Sequence, residues 1–247
     1  MIRFYAELND FLHPSQKHKS FEFFFKGRVT VREAVESLGV PHSAVDLILI
    51  NGQSAGIAQK VEEGDLISVY PEFETFDISE ISEIRKKPLR SSCFIVDAHL
   101  GKLTRDLRML GFDSLFAGKM SDMEIINVSV REKRTILTRD RDLLKSQKVD
   151  HGYYVRETRA PDQLREVITR FDLWSQFRPF TRCLVCNGIL QEVDREEVIG
   201  LVKPELTAVF EDFYRCSECK RIYWEGSHYL KMLERINGLI QGSGLNL

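Results

Sequence analysis

Between Ser92 and about Gln176 the chain alternates between two hydrophobic periods. Short apolar runs, "CFIVDA", "SLFAG", "TILTR" and "GYYVR", are separated by stretches in which apolar residues recur at helical spacing, "LGKLTRDLRMLG", "SDMEIINVSVREK", "RDLLKSQ" and "PDQLREVITRFDLWSQ". Strands separated by helices join through right-handed crossovers and lie parallel, so this segment predicts a mainly parallel sheet with helices on both faces. Open sheets of this kind bind ligands beyond the carboxyl ends of their strands. The acids fall there: Asp97 closes the first run, Asp122 opens the helix after the second, and Asp140 and Asp142 follow the third. Four carboxylates far apart in sequence are expected to converge on one rim.

Unpaired carboxylates brought together raise each other's pKa and destabilise the fold, and a divalent cation removes that cost. Mg²⁺ and Mn²⁺ prefer carboxylate and water oxygens, so a small acidic cluster suffices to hold either. Beside a phosphodiester, such ions activate water and stabilise the leaving oxygen. Each acid also has a structural alternative. Ser121 and Glu124 form a capping-box pattern, in which Asp122 would only favour the helix dipole. Asp140 or Asp142 could cap the helix "RDLLKSQ". Asp97 has no evident turn to serve.

Charge supports a polyanion partner for the middle of the chain. Residues 1–76 carry 7 basic and 11 acidic side chains, residues 77–180 carry 20 and 16, and residues 181–247 carry 8 and 10. Lys102, Arg105 and Arg108 recur every third position on the helix after Asp97, roughly along one face; lining a groove, they would supply salt-sensitive phosphate contacts. A solvated helix face is the alternative. Arg139 and Arg141 flank the acids of "LTRDRDLL" and are the stronger candidates to face a nucleic-acid backbone. His99, two residues past Asp97, is read as a lone histidine outside the site, and Cys93 as a buried core thiol.

The first 76 residues read differently. "MIRFYAEL" and "KSFEFFFKG" alternate as a pair of strands, and a helix follows at "TVREAVESLG", with Thr30 and Glu33 in a capping-box pattern and Gly39 where it ends. "DLILING", with an Asn51-Gly52 turn, and "DLISVYPEF" are strand-like. The order is that of a ubiquitin-like β-grasp and resembles its sulfur-carrier branch. Carriers of that branch end in a free Gly-Gly tail, whereas this chain continues through "EFETFDISE", so a docking or packing role is expected instead. Residues 77–91, "DISEISEIRKKPLRS", mix charges and proline without an apolar stripe and are placed as a linker.

"CLVC" at 183–186 and "CSEC" at 216–219 form two C-x-x-C pairs separated by 29 residues. Each can chelate a tetrahedral metal through two thiolates, and four thiolates select Zn²⁺ in a closed structural site; iron is the alternative. Cys183, Cys186, Cys216 and Cys219 therefore mark a zinc ribbon within residues 179–247. Tyr223, Trp224 and His228, in "RIYWEGSHYLKM", either contact RNA bases or pack against the ribbon. No 18-residue apolar run and no leader pattern occurs, so a cytoplasmic protein that does not enter membranes is expected.

"FIVDAHLGKLTRDLRMLGFDSLF", "SDMEII" and "ILTRDRDLL", followed by the cysteine tail, resemble the PIN-like ribonuclease family named after the C-terminal domain of the nematode Mut-seven protein. Prokaryotic members often carry a ubiquitin-like domain in front, as residues 1–76 would. The resemblance implies a PIN-like domain at 92–178 that cleaves RNA with an acidic Mg²⁺ or Mn²⁺ site. It puts the first acid on Asp97, the second on Asp122 or its neighbour Glu124, and the last two on Asp140 and Asp142. Thr138 would orient the third acid or the metal-bound water. It also implies an RNA substrate, whether tRNA, rRNA or mRNA; for the ubiquitin-like domain a protein partner, RNA recognition and a cover over the active-site rim are the open alternatives. The competing readings are an RNA- or ribosome-associated binding module without catalysis and a phosphoryl-accepting α/β domain. The latter needs a lysine after a later strand, where "GYYVR" supplies Arg156.

Overall fold

The computed structural model describes residues 1–25, 27–71, 92–149 and 151–241, so the expected linker at 77–91 lies outside the described residues. In chain order the strands are β1 (Ile2–Phe4), β2 (Val45–Ile50), β3 (Gln53–Ser54), β4 (Ile67–Pro71), β5 (Cys93–Val96), β6 (Asp113–Phe116), β7 (Thr135–Thr138), β8 (Gly152–Tyr154), β9 (Leu190–Val193), β10 (Phe213–Cys216) and β11 (Ile222–Trp224). The α-helices are α1 (Val31–Ser37), α2 (Gly101–Met109), α3 (Asp122–Glu132), α4 (Arg141–Leu144), α5 (Ala160–Arg170), α6 (Arg195–Val198), α7 (Pro204–Val209) and α8 (Ser227–Gln241). The chain divides into two compact units, Met1–Ser91 with Met120–Val155, and Ser92–Lys119 with Arg156–Leu247.

In the first unit the N-terminal sheet has the order β1-β4-β2-β3, with β1 parallel to β4 and the other pairs antiparallel. Alternation explains the burial: Ile2 and Phe4 of β1, Ile48 and Ile50 of β2 and Ile67 and Val69 of β4 point into one core with Val31, Ala34 and Val35 of α1. The capping box at the start of α1 is formed, Glu33 N–H donating to Thr30 Oγ1 at 3.3 Å and Thr30 N–H to Glu33 Oε2 at 2.7 Å. Asn51 and Gly52, both with positive φ, make the β2–β3 turn.

The segment "KSFEFFFKG" departs from expectation. It forms a single bridge, Phe21 with Ile2, whose two backbone hydrogen bonds are 2.9 and 3.0 Å. Phe21, Phe23 and Phe25 still turn one edge to the core while Phe24 is exposed, so the period of two is kept without a ladder. Likewise "AEL" of the opening run lies in a 3₁₀ turn, Ala6–Phe11.

The same unit holds a parallel pair, β7 and β8, with α3 and α4. Every residue of β7 is buried, as a strand covered on both faces requires. Ser43 Oγ, beside the N-terminal sheet, donates to the Leu144 carbonyl at the end of α4 at 2.9 Å. Phe11 meets the Tyr154 ring edge-on at 5.7 Å.

In the second unit β5 and β6 are parallel and α2 and α5 pack beside them. Leu100, Leu103, Thr104, Leu107 and Arg108 form the buried stripe of α2 and its lead-in, at spacings of three and four. Leu164, Val167 and Ile168 bury the facing stripe of α5. Each large apolar side chain removed from water in this way contributes roughly 1.5–3 kcal/mol before entropy is counted. The C-terminal part is a small antiparallel sheet, β11-β10-β9, that carries the cysteines, followed by α8. The whole is a mixed α/β protein with an N-terminal sheet, parallel strands flanked by helices and a four-cysteine cluster near the C-terminus. Among the described residues no helix is long and apolar enough to cross a membrane.

Candidate active site

Asp97 follows directly on the last residue of β5. It does have a turn to serve: its Oδ1 accepts from Ala98 N–H at 2.5 Å and caps the 3₁₀ turn Ala98–Leu100 that leads into α2. Two apolar strand residues and a buried Leu100 fix this entry, so the carboxylate is held at the strand end with little exposed area. His99 is no bystander, since its Nδ1 lies 3.5 Å from Asp97 Oδ2 while the ring is otherwise exposed.

Asp122 is the first residue of α3 and is exposed. Glu124 is spent elsewhere: its Oε2 accepts from Ser121 N–H at 2.7 Å and from Ser121 Oγ–H at 2.8 Å. The backbone and then the hydroxyl of Ser121 hold the Glu124 carboxyl below its ordinary value. Between the two acids left open by the sequence, Asp122 is the one whose carboxylate the cap leaves to solvent.

After β7 the chain turns on side-chain hydrogen bonds. Thr138, fully buried, accepts from Asp140 N–H through Oγ1 at 2.9 Å. Asp140 caps α4, its Oδ1 accepting from Asp142 N–H at 2.8 Å and from Leu143 N–H at 3.4 Å. Asp142 is exposed and pairs with Lys145 at 2.9 Å. The capping reading of Asp140 is therefore real, and a cap at a strand end also fixes a carboxylate in direction.

The arginines are disposed differently from expectation. Arg139 donates to the Val155 carbonyl at 3.1 Å. Arg141 lies over the rings of Phe11 and Tyr154, 5.3 and 5.1 Å from their centroids, and reaches the Asp10 carbonyl at 3.3 Å. It thus packs on the N-terminal fold while staying exposed. The expectation of a phosphate contact is corrected for Arg108, which is 4% exposed. Its Nε donates to the Ser114 carbonyl at 2.8 Å and its Nη1 to those of Val185 at 2.8 Å and Leu184 at 3.3 Å. A spacing of three falls 60° short of a full turn at each step, so the third member of 102, 105, 108 has rotated off the exposed face. Lys102 and Arg105 stay exposed.

The cysteines meet. One ligand sulfur from each of Cys183, Cys186, Cys216 and Cys219 lies within 4.8 Å of all the others, and none is in a disulfide. The Cys183–Cys219 and Cys186–Cys216 sulfurs are 3.6 and 3.3 Å apart, against about 3.8 Å across a tetrahedral zinc thiolate site. The two knuckles repeat one geometry: Asn187 and Lys220 have positive φ, and each donates its N–H to the first cysteine's carbonyl, at 3.0 and 3.2 Å. Gly188 is required, for a Cβ there would sit 2.8 Å from Cys216 Sγ. Burial opposes ionisation of Cys183, but hydrogen bonds from the Tyr223 hydroxyl and the knuckle backbone outweigh it and hold the thiol at about 6. Backbone bonding to Arg221 favours the Cys219 thiolate, yet burial and the neighbouring sulfurs push that thiol to about 12. Four thiols that cannot all ionise alone fit a cation that lets them do so, and the donor set suits zinc. Tyr223, whose hydroxyl lies 3.1 Å from Cys183 Sγ, belongs to this cluster. Among the described residues the quartet is the group of three or more metal-ligating side chains close enough to share an ion; Asp122, Asp140 and Asp142 are not gathered in that way.

Sequence reasoning missed the bracket that ties the first knuckle to β6. Asn187 accepts from Ser114 N–H at 3.0 Å and donates to Asp113 at 2.8 Å, and Arg182 pairs with Asp113 at 3.4 Å. No local pattern announces it, because its partners are some 70 residues apart.

Comparison with known proteins places both parts of the chain. The sequence profile of the Mut7-C RNAse domain matches residues 92–236, and that of the Mut7-C ubiquitin domain matches residues 1–77. No curated protein and no solved structure matches.

Proposed function

Because this chain belongs to the Mut7-C RNAse domain family, with a ubiquitin domain of the same kind in front, we propose that it is a metal-dependent endoribonuclease whose acids are Asp97, Asp122, Asp140 and Asp142. The observation that carries this reading is the position of Asp97 and Asp140, each following a parallel strand at the end where open α/β sheets bind ligands. Mg²⁺ or Mn²⁺, hard cations suited to oxygen donors, would have to draw in Asp122, Asp140 and Asp142, which are not gathered without an ion, to be held by the four carboxylates. Bound there, the ion would lower the pKa of a coordinated water and neutralise charge on the scissile phosphate.

This chain's residues supply the rest. Thr138 fixes the backbone of Asp140, and the α4 cap fixes its carboxylate direction, so a water or metal partner meets a preorganised oxygen. Asp97 is held in the same way by its own turn. The cysteine quartet would take Zn²⁺ as a structural ion that ties the ribbon together, and the ubiquitin-like domain would engage a protein partner.

A cleavage time course on structured and single-stranded RNAs tests the proposal. With added Mn²⁺ or Mg²⁺ the wild type should cut, and Asp97→Asn and Asp140→Asn should each slow cleavage about a hundredfold or more, the scale of losing one preorganised charge-stabilising group. RNA that remains intact under every metal condition, or variants that cut as fast as the wild type, would sink it.

A further inference from the structure

The exposed cations of α2 do not stand alone. They form one wall of a cleft of about 1170 Å³ in the second unit, whose other walls are the start of α5 and the first turns of α8. Lys102, Arg105, Arg159, Lys231 and Arg235 line it together, and the acid in the lining is Asp106. Asp106 is buried and already engaged by Arg235 at 2.9 Å, so it cancels one of five positive charges. Arg159 shares its charge with Asp162 at 3.6 Å, a weak exposed pair.

The lining includes His99, whose Nδ1 lies 3.5 Å from Asp97 Oδ2, so a chain lying in the cleft would reach both α8 and the neighbour of the acid at the end of β5. Among the described residues the lining holds no Phe, Tyr or Trp ring. Five cations against two imidazoles, His99 and His228, suit a sugar-phosphate backbone better than a row of stacked bases.

We propose that this cleft is the track on which a single-stranded RNA lays its phosphates, with Lys102, Arg105 and Lys231 as the main contacts, so that α8 presents RNA to Asp97. The choice of RNA over another polyanion rests on the ribonuclease reading. The proposal makes Lys231 of α8 part of the substrate surface as a phosphate contact, beyond the base contact that the sequence pattern offers for His228.

The test measures binding of a fluorescently labelled single-stranded RNA of mixed sequence to the full chain by anisotropy, over a series of salt concentrations and without added Mg²⁺ or Mn²⁺. The triple variant Lys102→Ala, Arg105→Ala, Lys231→Ala is compared with a control that removes equal charge from the N-terminal domain, Lys17→Ala, Lys19→Ala, Lys60→Ala. Five of the six positions are exposed and Lys17 is half-buried, and thermal melting checks that each variant folds. The cleft variant should lose affinity at least about tenfold, and its logarithmic salt slope should fall by about 2, the share of three phosphate contacts to a single strand. The control should bind as the wild type does. Equal losses in both variants, unchanged binding by the cleft variant, or a wild type that fails to bind RNA would each overturn the proposal. Displacement of the RNA by polyglutamate as readily as by unlabelled RNA would reject nucleic acid as the occupant. Failure of the two readings is separable. Binding through the cleft without cleavage retires the nuclease and keeps the track, whereas cleavage with an unaffected cleft variant does the reverse.

Discussion

Arg108 shows how one side chain can be misread and then become informative. Its charge predicts solvent, but its place on the buried stripe of α2 puts it under the first cysteine knuckle, where it supplies donors to three carbonyls. Burial pulls the guanidinium pKa down while the nearby thiols and Asp113 pull it up, and it stays charged at any working pH. Arg108→Met, which keeps the length and removes the donors, is expected to cost about 2–4 kcal/mol because those carbonyls lose buried partners. Urea unfolding reads the loss, and an unchanged midpoint would refute it. The sequence held the signal: 100, 103, 104, 107, 108 is a complete helical stripe. A count of cations at intervals of three hid it. Asp97 carries a second lesson of this kind, since its capping of a 3₁₀ turn of three residues has no sequence signature comparable to a capping box.

Elements were legible where they make their own pattern. β5, β6 and β7 with the helices between them follow from alternation, and so do the caps of α1 and α3, because strand period, helix period and capping chemistry are local. "KSFEFFFKG" was not legible as a lone bridge, because pairing depends on a partner strand that no residue of the segment encodes. The ribbon lies between these cases. Its ligands were plain from spacing, but its short strands, four residues at most, cannot hold themselves together. Elemental analysis should find one zinc per chain, and stripping it with a chelator should lower the melting temperature and release the Cys183 thiol to alkylation. A metal-free chain that melts like the native one would show the ribbon to be self-supporting, and iron in place of zinc would correct the ion.

At the level of the whole molecule, the N-terminal fold is more than an appended recruiter. Phe11 and the Asp10 carbonyl receive Arg141, Ser43 holds the end of α4, and Tyr154 of β8 packs against the N-terminal core. The loop of Asp140 and Asp142 is therefore braced by residues more than 100 positions upstream. Such contacts cannot be read from sequence patterning, because they link segments that share no periodicity. Phe11→Ala should destabilise the protein by about 3–5 kcal/mol, and it should lower cleavage even where the chain remains folded. Circular dichroism melting and the cleavage time course together check this. A stability loss with full specific activity would show that the brace serves folding alone.

β6 stands at the end of its sheet, where Ser114 is covered by the side-chain amide of Asn187 on its N–H and by Arg108 Nε on its carbonyl, the former held in place by a cysteine knuckle. An open strand edge is a template for the next chain. Stripping any metal held by the knuckle with a chelator is expected to free that amide and open the edge to a second copy of the chain, which light scattering would read; a chain that stays monomeric would refute it.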